Sequence, residues 1–218
     1  MGVEAATAAQ ATVAQVAGSR GRLITIEGVD GAGKSTLAAG IVDALPELMP
    51  MREPGGVAMA ERVRELVKDP DLEIVPQAEA LLFAAARAQL IAELLAPALA
   101  SGRHVLLDRF VDSSLAYQGA GRGLGIDAVA AINALATGGL APDLTLYLRV
   151  EPQVAAARRS GTDRLEQGGE RFFAAIAGAY DELAAREPER IRVIDGSRPA
   201  GEVLAAALRI VQQTLHTG

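Results

Sequence analysis

The octapeptide Gly28-Val29-Asp30-Gly31-Ala32-Gly33-Lys34-Ser35 fits the pattern G-x-x-x-x-G-K-[ST], and no other feature constrains the fold of this chain so tightly. Such a loop works only where backbone N–H groups turn inward at the mouth of a helix, so it needs a strand before it and a helix after it. The sequence supplies both. Leu23-Ile24-Thr25-Ile26 is apolar and β-branched, as in a strand buried on both faces, and Thr36 to Leu45 reads as the outgoing helix. The chain is therefore expected to bind a nucleoside triphosphate. Loop N–H groups and the positive helix end would face the polyphosphate, Lys34 would reach its β and γ phosphates, and Ser35 would offer a hydroxyl to Mg²⁺.

Further strand-like runs at His104 to Leu107, Leu144 to Val150 and Ile191 to Ile194 alternate with helical patterns. Alternation of this kind predicts an α/β fold of the P-loop NTPase type, a three-layer sandwich with a parallel sheet covered by helices on both faces. At 218 residues, one domain over 22–218 suffices, preceded by an extension at 1–21 read as flexible or loosely helical. That extension lacks the basic start and apolar centre of a signal peptide. The apolar stretch Ala78 to Ala100 is interrupted by Glu79, Arg87 and Glu93, and reads as a buried helix, not a membrane span. Pro46, Pro50, Pro70 and Pro76 punctuate the first connections, and Gly119 to Gly125 reads as a flexible, Gly-rich one.

With no Cys, neither a disulfide framework nor a thiolate zinc site is available. A net charge of −6 argues against a broad nucleic-acid surface. Lys34 and Lys68 are the only lysines among 21 basic residues, so phosphate charge beyond Lys34 falls to guanidinium forks; genome composition explains the arginine bias equally well.

Ligands of such sheets bind beyond the carboxyl ends of the strands. Asp108-Arg109-Phe110 follows one of them. Asp108 is placed like a carboxylate that holds Mg²⁺ through water, and Arg109 could clamp a phosphoryl group, although a strand-end salt bridge would look the same in isolation. Arg52-Glu53-Pro54-Gly55-Gly56 follows a possible strand at Leu48 to Met51 and could present Arg52 to an acceptor phosphate, or be an ordinary turn. Phe83 alone would read as core. Tyr147 reads as structural, and His104 and His216 have no partners at triad or ligand spacing.

Taken together, Glu27 to Thr36, Arg52 to Gly56, Phe83 to Arg87, Asp108-Arg109-Phe110 with Ser113 to Gln118, Pro142 to Leu148, and Asp163-Arg164-Leu165-Glu166 resemble bacterial thymidylate kinase. The resemblance runs from about Arg22 to the C-terminus. It implies transfer of the γ-phosphoryl group of ATP to dTMP, giving dTDP and ADP for DNA synthesis, by a Mg²⁺-dependent cytoplasmic homodimer that binds neither nucleic acid nor membrane. It places Gly28, Val29, Asp30, Gly31, Ala32, Gly33, Lys34, Ser35 and Thr36 on ATP, Asp30 on the acceptor 3′-hydroxyl, and Arg52 and Arg109 on the acceptor phosphate. Phe83 would stack on thymine, Arg87 would bond a base carbonyl, Ser114 and Gln118 would lie on the base side, and Tyr117 would crowd out a 2′-hydroxyl.

The same resemblance makes Arg158 to Gly169 a mobile lid that excludes water. Arg158 would stack on adenine, Arg164 would meet phosphate oxygens and Glu166 would assist the metal, where the bare sequence permits a solvated charged loop. Gly31 stands where some relatives carry a basic residue, so the catalytic arginine is expected from the lid, as Arg164 or Arg159, with Arg164 preferred. The lid is about three residues shorter than an arginine-rich bacterial one. Other small-molecule kinases on this scaffold, acting on other nucleoside monophosphates, shikimate or gluconate, would lack the combination of Asp30 with Phe83 and Arg87. A nucleotide-hydrolysing regulatory switch would need a water-positioning residue that the sequence does not display.

Overall fold

Apolar side chains on both faces of a strand bury it between layers, and every residue of β1 (Leu23–Glu27) is buried. In the computed structural model, which describes residues 20–158, 164–165 and 168–216, β1 is the central strand of five. The chain continues through α1 (Lys34–Ala44), β2 (Met49–Arg52), α2 (Ala58–Lys68) and α3 (Pro76–Leu90). A π-helical turn, Ile91–Leu95, prolongs α3 into a last α segment, Ala96–Ala100. Pro97 has no N–H to return to the preceding turn, and the wide turn precedes it directly.

Next come β3 (Val105–Asp108), the short α4 (Val111–Ser114) with its π-helical continuation Leu115–Gly121, and α5 (Ile126–Thr137). The described remainder is β4 (Leu144–Arg149), α6 (Pro152–Arg158), α7 (Glu170–Arg186), β5 (Ile191–Asp195) and α8 (Ala200–His216). All strand pairs are parallel, in the order β2-β3-β1-β4-β5.

Side chains alternate across the sheet with period two. Ile24, Ile26 and Leu106 enter one core with α1, α7 and α8, while Leu23, Val105 and Leu107 enter the other with Leu90, Leu95 and Leu99. Register sets Ile26 level with Asp108 and Arg52 level with the same Asp108, so β1, β2 and β3 end together at one edge. The sequence-based fold is thus found, with strand limits shifted by a residue or two.

The run Pro76–Ala100 is long and apolar enough, by length and composition alone, to cross a membrane. Here α3 packs against α2 and α5 and carries Glu79 and Arg87 buried in ion pairs. The Gly119 to Gly125 segment departs from the sequence reading. Its first part is helical rather than a flexible connection, Gly119 is buried, and α7 packs along it. A Cβ on Gly121 would lie 2.7 Å from the Phe172 ring, so glycine there serves close packing.

Candidate active site

The loop after β1 turns through Gly28, Gly31 and Gly33 with φ of 142°, 85° and 96°. A Cβ at Gly31 would stand 2.3 Å from the Ala155 carbonyl oxygen of α6, so the residue without a side chain is required by contact as well as by torsion. α1 opens at Lys34 with no side-chain cap and no acidic residue in its first turn. Its leading N–H groups and the positive end of its dipole therefore face outward for an anion.

Lys34 is buried and donates from Nζ to the Val29 carbonyl at 2.9 Å. Burial, joined by the nearby Arg109 charge, pulls its ammonium down to about 8, against the opposing pull of Asp30, Asp108 and Glu27. Ser35 Oγ lies 3.4 Å from Asp108 Oδ2, and Asp108 Oδ1 is buried with no hydrogen-bond partner. A hydroxyl beside an unsatisfied carboxylate oxygen is a donor set suited to a hard divalent cation. Glu166, the third expected metal residue, lies outside the described residues, as does Arg159.

Arg109 adopts a left-handed backbone, φ 69°, at the end of β3. Its Nη1 donates to Gly28 O at 3.1 Å and Ser113 Oγ at 3.0 Å, and its Nη2 pairs with Asp30 Oδ1 and reaches Tyr117 OH at 3.3 Å. Tyr117 OH donates to Asp30 Oδ2 at 2.6 Å and accepts from the Asp30 backbone N–H at 3.0 Å. Burial pushes the Asp30 carboxyl up, but Arg109, Lys34 and the Tyr117 hydroxyl outweigh it and hold the group well below the usual carboxylate range. Beneath this network Glu27 is wholly buried, accepting from Phe110 N at 2.7 Å, Ser113 Oγ at 2.5 Å and Tyr180 OH at 3.0 Å. Burial, with Asp112 nearby, pushes its carboxyl up.

From the phosphate loop a cleft opens between α2, α3 and the helix after β3, with Asp30, Phe83, Arg109, Ser114, Tyr117 and Gln118 among its walls. These six expected residues are brought together. Phe83 also packs on Ala60, Val63 and Val67 of α2, so the core and cleft readings both hold for it.

Two others stand differently. Arg87 is 1% exposed: Nε donates to Glu53 Oε2 at 2.8 Å, Nη1 to Ser114 Oγ at 3.1 Å and to Asn133 Oδ1, and Nη2 to Phe110 O at 2.9 Å. Each nitrogen is engaged inside the protein, so Arg87 braces the cleft wall instead of aiming at a base. Burial pushes its partner Glu53 up to about 7 against the pull of Arg87, and Glu53 Oε1 lacks a hydrogen-bond partner. Arg52 is turned away from the cleft, holding Glu61 through Nη2 at 2.8 and 3.0 Å and Pro54 O through Nη1 at 3.0 Å.

Arg64 and Lys68 of α2 line the cleft where Arg52 was expected. Sequence reading missed them. Ala60, Val63, Arg64 and Val67 fall on one helical face, and an arginine in that apolar row was the available signal.

Of the lid, Arg158 Nη1 reaches Gly196 O at 3.5 Å. Arg164 is engaged away from the phosphate loop. Its Nε donates to Val67 O at 3.0 Å, its backbone N–H to Lys68 O at 3.3 Å, and its Nη2 lies 2.6 Å from Glu79 Oε2, close in distance but off the line of a hydrogen bond. Tyr147 stacks on Tyr180 at 5.1 Å, and His104 Nδ1 accepts from Arg22 N at 2.9 Å, both structural roles.

A family model described as thymidylate kinase matches residues 26–207. A protein described as thymidylate kinase from Lactobacillus delbrueckii subsp. bulgaricus is 46% identical over 206 residues, covering 89% of this chain and 97% of the relative. Another, from Deinococcus radiodurans, is 46% identical over 205 residues, 91% of this chain and 100% of the relative. The crystal structure of thymidylate kinase from Ehrlichia chaffeensis superposes with a TM-score of 0.74 at 26% identity, covering 88% of this chain and 99% of that one.

Proposed function

The chain belongs to the thymidylate kinase family and is a kinase that takes ATP as phosphoryl donor, and on that premise we propose that it transfers the γ-phosphoryl group to dTMP, giving dTDP and ADP. The observation that carries the acceptor reading is the double position of Asp30. It belongs to the phosphate loop and is also a wall of the cleft, bonded there to Arg109 and Tyr117. A sugar held by Asp30 therefore sits beside the transferring group.

Phosphoryl transfer demands alignment and charge neutralisation more than covalent chemistry. Lys34 and the N–H groups at the start of α1 hold the donor phosphates. Arg109 holds the acceptor phosphate; Arg52, held by Glu61 and Pro54 O, would have to leave them to join it. Phe83 presents a ring to the base, while Ser114 and Gln118 offer polar groups to its edge, and leaving those unpaired makes a wrong base costly. Tyr117 fills the space a 2′-hydroxyl would need. Ser35 and Asp108 fit Mg²⁺, with Glu166 as an expected third residue, and the ion when bound draws charge from the phosphate oxygens. Arg158 is assigned to the adenine.

We place the enzyme in the cytoplasm as a homodimer acting on small molecules, without nucleic-acid or membrane partners. Other kinases of this scaffold and a hydrolytic switch are not favoured. Coupled measurement of ADP release against dTMP, dUMP, UMP, CMP and AMP tests the reading. dTMP should lead, dUMP follow and the rest be poor substrates; AMP or UMP turned over as efficiently as dTMP would leave a kinase but remove its proposed acceptor.

A further inference from the structure

Arg109, the arginine assigned to the acceptor phosphate, has its backbone at φ 69°, where a residue with a side chain is uncommon. In that region the Cβ of an L-residue crowds the following carbonyl oxygen, so the conformation lasts only where its surroundings hold it. Two consecutive N–H groups do the holding. Arg109 N donates to Ile26 O at 3.0 Å, and Phe110 N donates to Glu27 Oε1 at 2.7 Å. The last two residues of β1 thus grip the chain on both sides of the Arg109 α-carbon.

The other carboxylate oxygen of Glu27 serves the guanidinium. Oε2 accepts from Ser113 Oγ at 2.5 Å and from Tyr180 OH at 3.0 Å, and the two hydroxyls stand 2.9 Å apart. With its proton committed to Glu27, the Ser113 hydroxyl offers a lone pair to Arg109 Nη1 at 3.0 Å. The same Nη1 donates at 3.1 Å to the carbonyl of Gly28, which follows Glu27 and opens the phosphate loop. Ser113 is steadied from outside as well, because its neighbour Asp112 takes Arg190 Nη1 at 2.7 Å and Nη2 at 2.9 Å. Glu27 itself is wholly buried and is not among the cleft walls, so it can act on a substrate only through these neighbours.

We propose that Glu27 is a positioning residue for phosphoryl transfer, fixing the place and direction of the Arg109 guanidinium relative to the phosphate loop through Phe110 N–H and Ser113, an assignment that rests on the kinase reading above. Donor phosphates gather on the loop that Glu27 leads into, and the acceptor phosphate on the arginine that it orients. One side chain therefore relates the two. In-line transfer depends on that relation. Attraction between a guanidinium and a phosphate survives a small turn of the fork, whereas alignment in the transition state does not. Loss of the Glu27 carboxylate should accordingly show in kcat and leave KM nearly as it was.

Steady-state kinetics of Glu27→Gln, Ser113→Ala, their double variant and Tyr180→Phe, each run well below its own melting temperature, tests it. Glutamine keeps the shape and an oxygen for Phe110 N–H, but its amide nitrogen meets the Ser113 hydroxyl as a donor and competes with Arg109 for the same lone pairs. Glu27→Gln and Ser113→Ala should each lower kcat about thirtyfold, with KM for ATP and for dTMP within about threefold of wild type. The double variant should be no slower than the slower single one, since both changes act on one arginine. Tyr180→Phe takes a donor from the same carboxylate oxygen but leaves the Ser113 link to Arg109 in place, and should lower the melting temperature while keeping kcat within about twofold. Unchanged kcat in Glu27→Gln, a rise in KM in place of the fall in kcat, multiplicative effects in the double variant, or an equal fall in Tyr180→Phe overturns the proposal, the last by reducing Glu27 to a packing role. Should Glu27→Gln fail to fold, Ser113→Ala carries the test on the same split between kcat and KM, and unchanged kcat there overturns it equally. Wild-type ADP release that is independent of dTMP sinks the kinase reading and the positioning together; dTMP-dependent release with kcat kept in the variants sinks the positioning alone.

Discussion

Lys34 does its work with a proton that burial has made easier to lose. Because its ammonium is drawn down to about 8, kcat/KM for ATP should fall as pH rises through that value in the free enzyme, and bound polyphosphate should move the limb upward in kcat. Lys34→Ala should cost about a thousandfold or more in kcat with native circular dichroism; a loss within about tenfold would remove the phosphate role. Glu53 titrates in the opposite sense. Its carboxyl is raised to about 7 in the fold from an ordinary unfolded value, so the folded state binds the extra proton between those two values. Stability from this group is fully present at acid pH and is lost as pH rises toward 7, at up to about 1.4 kcal/mol per pH unit. Denaturant midpoints of wild type and Glu53→Gln at pH 5 and pH 8 should converge at the lower pH, and a constant difference would refute the assignment. At this scale the sequence displayed Lys34, Ser35, Asp108 and Arg109 together because their places follow from local position after a strand. It did not display the exchange of Arg52 for Arg64, because the choice depends on Glu61, nine residues beyond Arg52, capturing one guanidinium, a tertiary outcome with no local signature.

Elements constrain one another more tightly than their sequences reveal. α6 passes so close to the phosphate loop that Gly31→Arg, which would add a cation in the right neighbourhood, should instead lower both kcat and melting temperature, since its Cβ would collide with the Ala155 carbonyl. Gain of activity in that variant would show that α6 can retreat. The lid arginines should separate by kinetics. Arg159→Ala is expected to lower kcat with little change in KM, whereas Arg164→Ala, with its partners on α2 and α3, should chiefly raise KM for dTMP. β1, β3 and β4 were legible because burial on both faces leaves a continuous apolar run, while β2 and β5, half exposed, showed only through their place in the alternation of strands and helices. The helical continuation through Gly119 and Gly121 was not legible: glycine-rich sequence signals a turn locally, and only packing against Phe172 and α7 makes it a helix.

The whole molecule sorts its chemistry to one side. Arg52, Asp108 and the phosphate loop all leave the sheet at the carboxyl ends of its strands, as parallel α/β architecture dictates. Sedimentation should report a particle of twice the chain mass at micromolar concentration, and a monomer there would remove the dimer from the proposal. The opposite edge has other uses. Arg20 and Arg22 both clamp Asp143, just before β4, so the polypeptide enters β1 at its amino end. β1 carries five residues, each rising about 3.3 Å, which puts roughly 16 Å of sheet between that entry point and the phosphate loop. A label carried at position 20 itself would therefore stand on the side of the sheet away from the phosphate loop, leaving the mouth of the cleft facing open solution.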